Sequence, residues 1–283
     1  MKKIIAVLFL TVTVFQNILA AKTDFVLVRS ESMEKEIPVI VISPNDTSTK
    51  ASSIYLLHGY GDTETSFPII KPELPEISDK HGIVFVIPRG GKSWYLDSLI
   101  DTKAKYETFI AKDLVKYIDK NYNTINNRKG RAITGFSMGG YGALFVAIKN
   151  KGVFGAAGSM SGAFDIPIFG SAKQSRGFGI PKILGDDKII WGDYNITKIV
   201  DTAKLKDKDL SIIFDVGYND NFLGLPIYEM NEALHKQLTI SGISHDFFLY
   251  PGEHTMEYWK NAIDYQILFF RKFFEETNNT SKQ

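Results

Sequence analysis

The sequence predicts an α/β fold, a mainly parallel sheet with helices on both faces. Short continuous apolar runs recur along the chain, and segments of helical spacing separate them. Apolar runs this short suit strands buried on both faces, and their alternation with helices marks a parallel sheet.

Each element follows from local pattern. Ile37–Ile42 is β-branched and stops at the turn signal Ser43-Pro44-Asn45-Asp46. Ser53–Leu57 stops at His58-Gly59, and Ile83–Ile87 at Pro88. Between Tyr106 and Tyr122 the period changes. Phe109, Ile110, Leu114, Val115, Ile118 and Tyr122 fall near helical spacing, with charged residues between them. A polar turn at Asn126–Gly130 leads into a strand, Arg131–Thr134, and a helix, Tyr141–Lys149. Phe154–Met160, Leu210–Val216 and Phe247–Tyr250 read as further strands. Pro226–Leu238 and Met256–Phe274 read as helices. In the last helix Tyr258, Trp259, Tyr265, Phe269, Phe270, Phe273 and Phe274 have helical spacing and are expected in the core. Ala163–Val200, rich in Gly, Lys and aromatics, is expected to cross the top of the sheet as an irregular excursion. It serves either as a pocket wall or as plain covering.

Composition bounds the function. The chain has 283 residues, 44% of them hydrophobic, with 33 Lys+Arg against 32 Asp+Glu. It is too apolar and too evenly charged for a disordered chain, and it lacks the basic excess of a nucleic-acid groove. It contains no Cys, which excludes a disulfide framework and any cysteine metal site.

The first residues have the layout of a secretory signal peptide: Met1-Lys2-Lys3, an apolar run Ile4–Phe15, then Ala20-Ala21. The run is too short to span about 30 Å of hydrocarbon. The expectation is an export signal at 1–21 and one domain at 22–283, periplasmic or secreted, with no membrane span after cleavage. Loss of Lys2 and Lys3 takes the formal charge from +1 to −1.

Gly135-Phe136-Ser137-Met138-Gly139-Gly140 is G-x-S-x-G between a strand and a helix. That context makes Ser137 a nucleophile elbow, with its hydroxyl lifted above the sheet. A serine hydroxyl needs a base. Of the five histidines, His58 and His81 precede the serine, whereas this elbow is followed by its acid and then its histidine. His235 falls within a helix. His245 lies before a strand, as an ordinary surface residue. His254 follows the strand Phe247–Tyr250, at the carboxyl end where catalytic side chains of open α/β sheets sit. The acid should follow Leu210–Val216, where Asp220 is the choice and Asp215, within the strand, the rival. The oxyanion donors should be the backbone amides of Met138 and Tyr60, with Gly59 and Gly61 letting the loop approach substrate.

These residues resemble the esterase branch of the α/β-hydrolases, which includes tributyrin esterases, S-formylglutathione hydrolases, feruloyl and acetylxylan esterases and mycolyltransferases. Four blocks carry the likeness: Leu56–Gly61, Ser93–Ser98, Arg131–Ala143, and Gly217–Leu223 with Gly252-Glu253-His254. They run in family order from about residue 25 to 275. The resemblance implies an α/β-hydrolase fold and a triad of Ser137, Asp220 and His254. The closest likeness, to the tributyrin-esterase type, runs through Trp94-Tyr95-Leu96-Asp97. Trp94 and Tyr95, with Gly59, are candidates for the pocket wall, or else aromatics packed beneath a loop.

The expected activity is carboxylic ester hydrolysis on a small ester or an acylated glycan, with no metal and no organic cofactor. Acyl transfer to a sugar or lipid alcohol by the same triad is the alternative. A non-catalytic binding module on the same fold is a further one.

Overall fold

The computed structural model describes residues 21–173 and 175–279, so the expected export signal lies outside the described residues apart from Ala21. Eight strands form one sheet in the order β1-β2-β4-β3-β5-β6-β7-β8. They are β1 (Lys22–Ser30), β2 (Lys35–Ser43), β3 (Ser52–Leu57), β4 (Ile83–Pro88), β5 (Arg131–Gly135), β6 (Ala156–Met160), β7 (Ser211–Gly217) and β8 (Asp246–Tyr250). From β4 through β8 every pairing is parallel. β1 and β2 form an antiparallel hairpin added on the β4 side.

The expected fold is the observed one, and the reason is visible in the burial. β3, β4, β5 and β6 are buried at every position. Side chains alternate across a strand, so each buried run feeds two cores. Tyr55, Leu57, Ile133 and Ala157 face one, with the helix Met138–Lys149. Ile54, Leu56, Ala132 and Ala156 face the other, with Trp259, Ile263, Ile267 and Phe270 of the long C-terminal helix Met256–Asn279.

Three elements depart from the sequence reading. β1 was not expected, because as an edge strand it buries little and its pattern alternates with exposed Phe25 and Leu27. The Tyr106–Tyr122 segment is not one regular helix. It runs Tyr106–Thr108, a wider π-helical stretch Phe109–Leu114, then Val115–Asn121. The extra residue in the π turn brings Phe109, Ile110, Ala111 and Leu114 all inward. The 163–200 stretch is not irregular. It holds the short helices Ile166–Ser171, Ile180–Leu184, Lys188–Asp193 and Ile196–Thr202, with a left-handed turn at Arg176 and Gly177. Their signals were present: Asp165 accepts from the Ile168 amide, Asp187 from the Ile189 amide, and Pro167 and Pro181 stand at helix starts. Among the described residues no helix is long and apolar enough to cross a membrane.

Candidate active site

Ser137 stands between β5 and the helix Met138–Lys149 with φ 56° and ψ −121°. A serine avoids this region unless its surroundings impose it. Here they do. Its amide donates to Met160 O at 3.0 Å, and its carbonyl accepts from Tyr141 and Ala163. The turn closes tightly over β3. A Cβ on Gly139 would stand 2.5 Å from the Leu57 carbonyl carbon and 2.7 Å from His58 O.

The sequence-selected residues meet. His254 Nε2 lies 2.8 Å from Ser137 Oγ, and His254 Nδ1 lies 2.9 Å from Asp220 Oδ1. An ionised carboxylate can only accept, so Nδ1 carries the proton and the Nε2 lone pair faces the serine hydroxyl. Asp220 is buried, its amide donating to Gly217 O at the mouth of β7. Gly217 brings the two loops together, since a Cβ there would meet the Gly252 backbone before His254. Phe222 and Trp259 flank the imidazole at 4.7 and 5.0 Å between ring centroids.

A cleft of about 300 Å³ opens over Ser137 and His254. The pocket candidates Gly59 and Trp94 line it, with the expected oxyanion donors Tyr60 and Met138. Phe136, Phe169, Phe178, Phe222, Met256, Trp259 and Asp62 line it as well and were missed. Phe136 and Phe222 stood inside the Ser137 and Asp220 blocks without a pocket role, Trp259 was assigned by its helical spacing wholly to the core, and Asp62, Phe169, Phe178 and Met256 carried no local signal. The amides of Tyr60 and Met138 have no acceptor among the described residues, whereas the neighbouring amides of Gly61, Asp62 and Gly139 donate to Gly91, Gly59 and Phe136. Among the described residues no group of three or more His, Asp or Glu could hold a metal ion.

Comparison with known proteins decides the family. The family model described as "Putative esterase" matches residues 30–270. The chain belongs to this esterase family. An acetyl esterase of Caldicellulosiruptor saccharolyticus is 25% identical over 252 residues, covering 83% of this chain and 92% of that protein. An esterase of Mycobacterium tuberculosis is 34% identical over 131 residues, which cover 44% of this chain and 28% of that protein. The match thus spans about a quarter of the mycobacterial protein's length. A substrate-bound fluorophosphonate-binding serine hydrolase of Staphylococcus aureus superposes with a TM-score of 0.80 at 21% identity, covering 89% of this chain and 99% of that one. That likeness establishes the α/β-hydrolase fold.

Tyr265 and His245 stand elsewhere than expected, Tyr95 takes the second of its two expected places, and Asp97 has a structural part. Tyr95 does not line the cleft. Its ring wedges beneath the loop against Gly90 and Gly142, and its hydroxyl donates to His58 O at 3.1 Å. Asp97 accepts from the Thr108 amide and hydroxyl and so fixes a helix start. Tyr265 is half exposed rather than core. His245 is no ordinary surface residue. It donates from Nδ1 to Ile243 O, accepts at Nε2 from His235 and stacks on Phe214. Burial, and then the neighbouring His245, lower the pKa of His235.

His58 holds the oxyanion loop. Nδ1 donates to Gly59 O and Nε2 accepts from the Gly90 amide, both at 2.8 Å. Burial pushes its pKa down to about 4, so it stays neutral and both bonds persist. Glu64 and Arg89 pair at 2.6 and 2.8 Å across the same junction.

Asp215, the rival acid, supports the site from below. It accepts from the Tyr258 hydroxyl at 2.9 Å and from Gln266 at 2.8 Å. Burial raises its pKa to about 7, against the pull of those two donors. The fold therefore favours the neutral acid. Its stabilising contribution is full below about pH 4 and is lost as pH rises to about 7. The urea midpoint of the wild type should fall more between pH 5 and pH 8 than that of Asp215→Asn. Parallel curves for the two proteins would refute the assignment.

Proposed function

We propose that the chain is an exported serine esterase acting through Ser137, His254 and Asp220. Ser137 Oγ attacks the ester carbonyl while His254 Nε2 takes its proton. Asp220 holds the imidazole in the required tautomer and stabilises the imidazolium. The Tyr60 and Met138 amides receive the developing oxyanion. His254 then protonates the departing alcohol, and the same imidazole activates a water that clears the acyl-enzyme. Each step uses groups of the chain and water.

The observation that carries this reading is the unbroken hydrogen-bond chain from Ser137 through His254 to Asp220 beside two amides without acceptors. A cleft of about 300 Å³ with aromatic walls supports short acyl groups, free or carried on a glycan. The expected export signal at 1–21 and single catalytic domain at 22–283 belong to the same proposal.

The test is turnover of p-nitrophenyl acetate, butyrate and octanoate, with methyl ferulate alongside. Acetate and butyrate should exceed octanoate. A fast burst of p-nitrophenol should accompany an acetyl mass increment on the Ser137 peptide. A folded protein that shows neither burst nor increment with any ester would remove the proposal.

A further inference from the structure

Among the described residues that line the cleft, Asp62 alone brings a carboxyl group. It lies against the oxyanion loop. The Asp62 amide donates to Gly59 O at 3.2 Å, and its Oδ2 is 3.2 Å from where a Cβ on Gly59 would stand. That same point lies 2.7 Å from the Phe136 ring, which stacks on Trp259 with centroids 4.3 Å apart. The carboxyl group thus borders an aromatic floor.

The nearby cations are engaged elsewhere. Arg89 is held by both oxygens of Glu64, and Lys92 stands over the Tyr60 ring at 5.5 Å. Among the described residues Asp62 has no salt bridge, and its carboxyl group has one backbone donor, the Gly59 amide. Burial raises its pKa, and the Gly59 amide opposes that rise. A half-buried carboxylate with open lone pairs is under-satisfied until a donor arrives.

The rings of the cleft approach His254 from two sides, through Phe222, which meets Phe178, and through Trp259, which stacks on the Phe136 ring that Asp62 borders. Trp94, Phe169, Phe178 and Tyr60 contact one another. Trp259 meets the His254 ring edge-on. In the reaction proposed above, His254 gives its proton to the departing alcohol. The alcohol therefore leaves beside the His254 ring, inside the cleft that Asp62 also lines.

We propose that Asp62 is a specificity-determining residue that accepts hydrogen bonds from hydroxyl groups on the alcohol part of the ester. The site then selects sugar- or polyol-type esters over hydrocarbon esters and over esters with an anionic alcohol part. A carboxylate offers two oxygens to neighbouring hydroxyls, and charge-assisted bonds are about twice as strong as neutral ones. The aromatic floor covers the apolar face of such an alcohol. An anionic group would instead meet a like charge with little water between them. This inference rests on the serine-esterase reading.

The experiment compares wild type, Asp62→Asn and Asp62→Ser on glucose monoacetate, cyclohexyl acetate, O-acetyl-lactate and acetylcholine. Ser137 is titrated with a fluorophosphonate, so that rates are counted per reactive site. Wild type should prefer the glucose ester over the cyclohexyl ester. Both variants should lose that preference about ten-fold, mainly through KM, and should gain on acetyl-lactate relative to the other esters. A glucose-to-cyclohexyl ratio within two-fold of wild type in both variants, with full titration, overturns the role of Asp62 alone. A preference for acetylcholine over the glucose ester that both variants lose overturns hydroxyl recognition in favour of a cation. Absence of titration and of turnover in wild type overturns the esterase reading, and this inference with it.

Discussion

Ser137→Ala should lower kcat by roughly 10⁴–10⁶, the range of triad knockouts in serine hydrolases. The substitution removes one oxygen from a buried turn and leaves the φ of 56° as demanding for Ala as for Ser. The fold should therefore survive, and the loss should be chemical. His254 keeps its bond to Asp220 but has no hydroxyl to deprotonate. The Tyr60 and Met138 amides can still polarise a bound carbonyl, so a residual rate above water should remain. The measurement is steady-state hydrolysis of p-nitrophenyl acetate beside a fluorophosphonate titration. Turnover within a hundred-fold of wild type would place the nucleophile elsewhere.

Gly139→Ala should lose most of the fold's stability. The added methyl would overlap the Leu57 carbonyl and stand 2.7 Å from His58 O, both backbone atoms. Both are held: Leu57 pairs with Gly135 of β5 and its carbonyl accepts from the Phe136 amide, and His58 O accepts from the buried Tyr95 hydroxyl. Overpacking a core usually costs about 1–3 kcal/mol through movable side chains. A clash with two fixed carbonyls belongs to the exceptional class of about 4 kcal/mol or more. Against a typical total of about 5–15 kcal/mol, that leaves a protein that unfolds in mild urea. Gly152→Ala provides the control, since a Cβ there meets nothing within 4 Å. A Gly139→Ala midpoint equal to that of Gly152→Ala would mean that the elbow is looser than its geometry indicates.

The parallel core was legible because strands buried on both faces carry continuous apolar runs, as in Ile83–Ile87. Ser137 was legible because its turn demands small residues at fixed offsets. Asp220 and His254 were legible because they follow strands at the carboxyl edge of the sheet. β1 was not, since an edge strand needs little hydrophobicity to pair. The walls of the cleft were not either. Phe169, Phe178 and Phe222 come from separate segments, and only the tertiary fold turns them toward Ser137. Tyr95 shows the same limit in reverse. An aromatic beside Trp94 could face substrate or protein, and two glycines remote in sequence, Gly90 and Gly142, make room for it inside. The Glu64–Arg89 and His235–His245 pairs join residues that no local pattern links.

The short helices at 166–202 meet the body of the protein through a few specific bonds. Trp94 Nε1 donates to Phe178 O, Ser98 Oγ and the Leu99 amide to Ile183 O, and Tyr141 Oη to Tyr194 O. None of these bonds belongs to the sheet ladder, and none touches Ser137, Asp220 or His254. The segment that supplies Phe169 and Phe178 thus borders the cleft, reaching His254 only through the Phe222 ring, and takes no part in the hydrogen-bond chain. Sequence drift within it can therefore widen, narrow or reshape the cleft wall without breaking a hydrogen bond of the Ser137–His254–Asp220 chain.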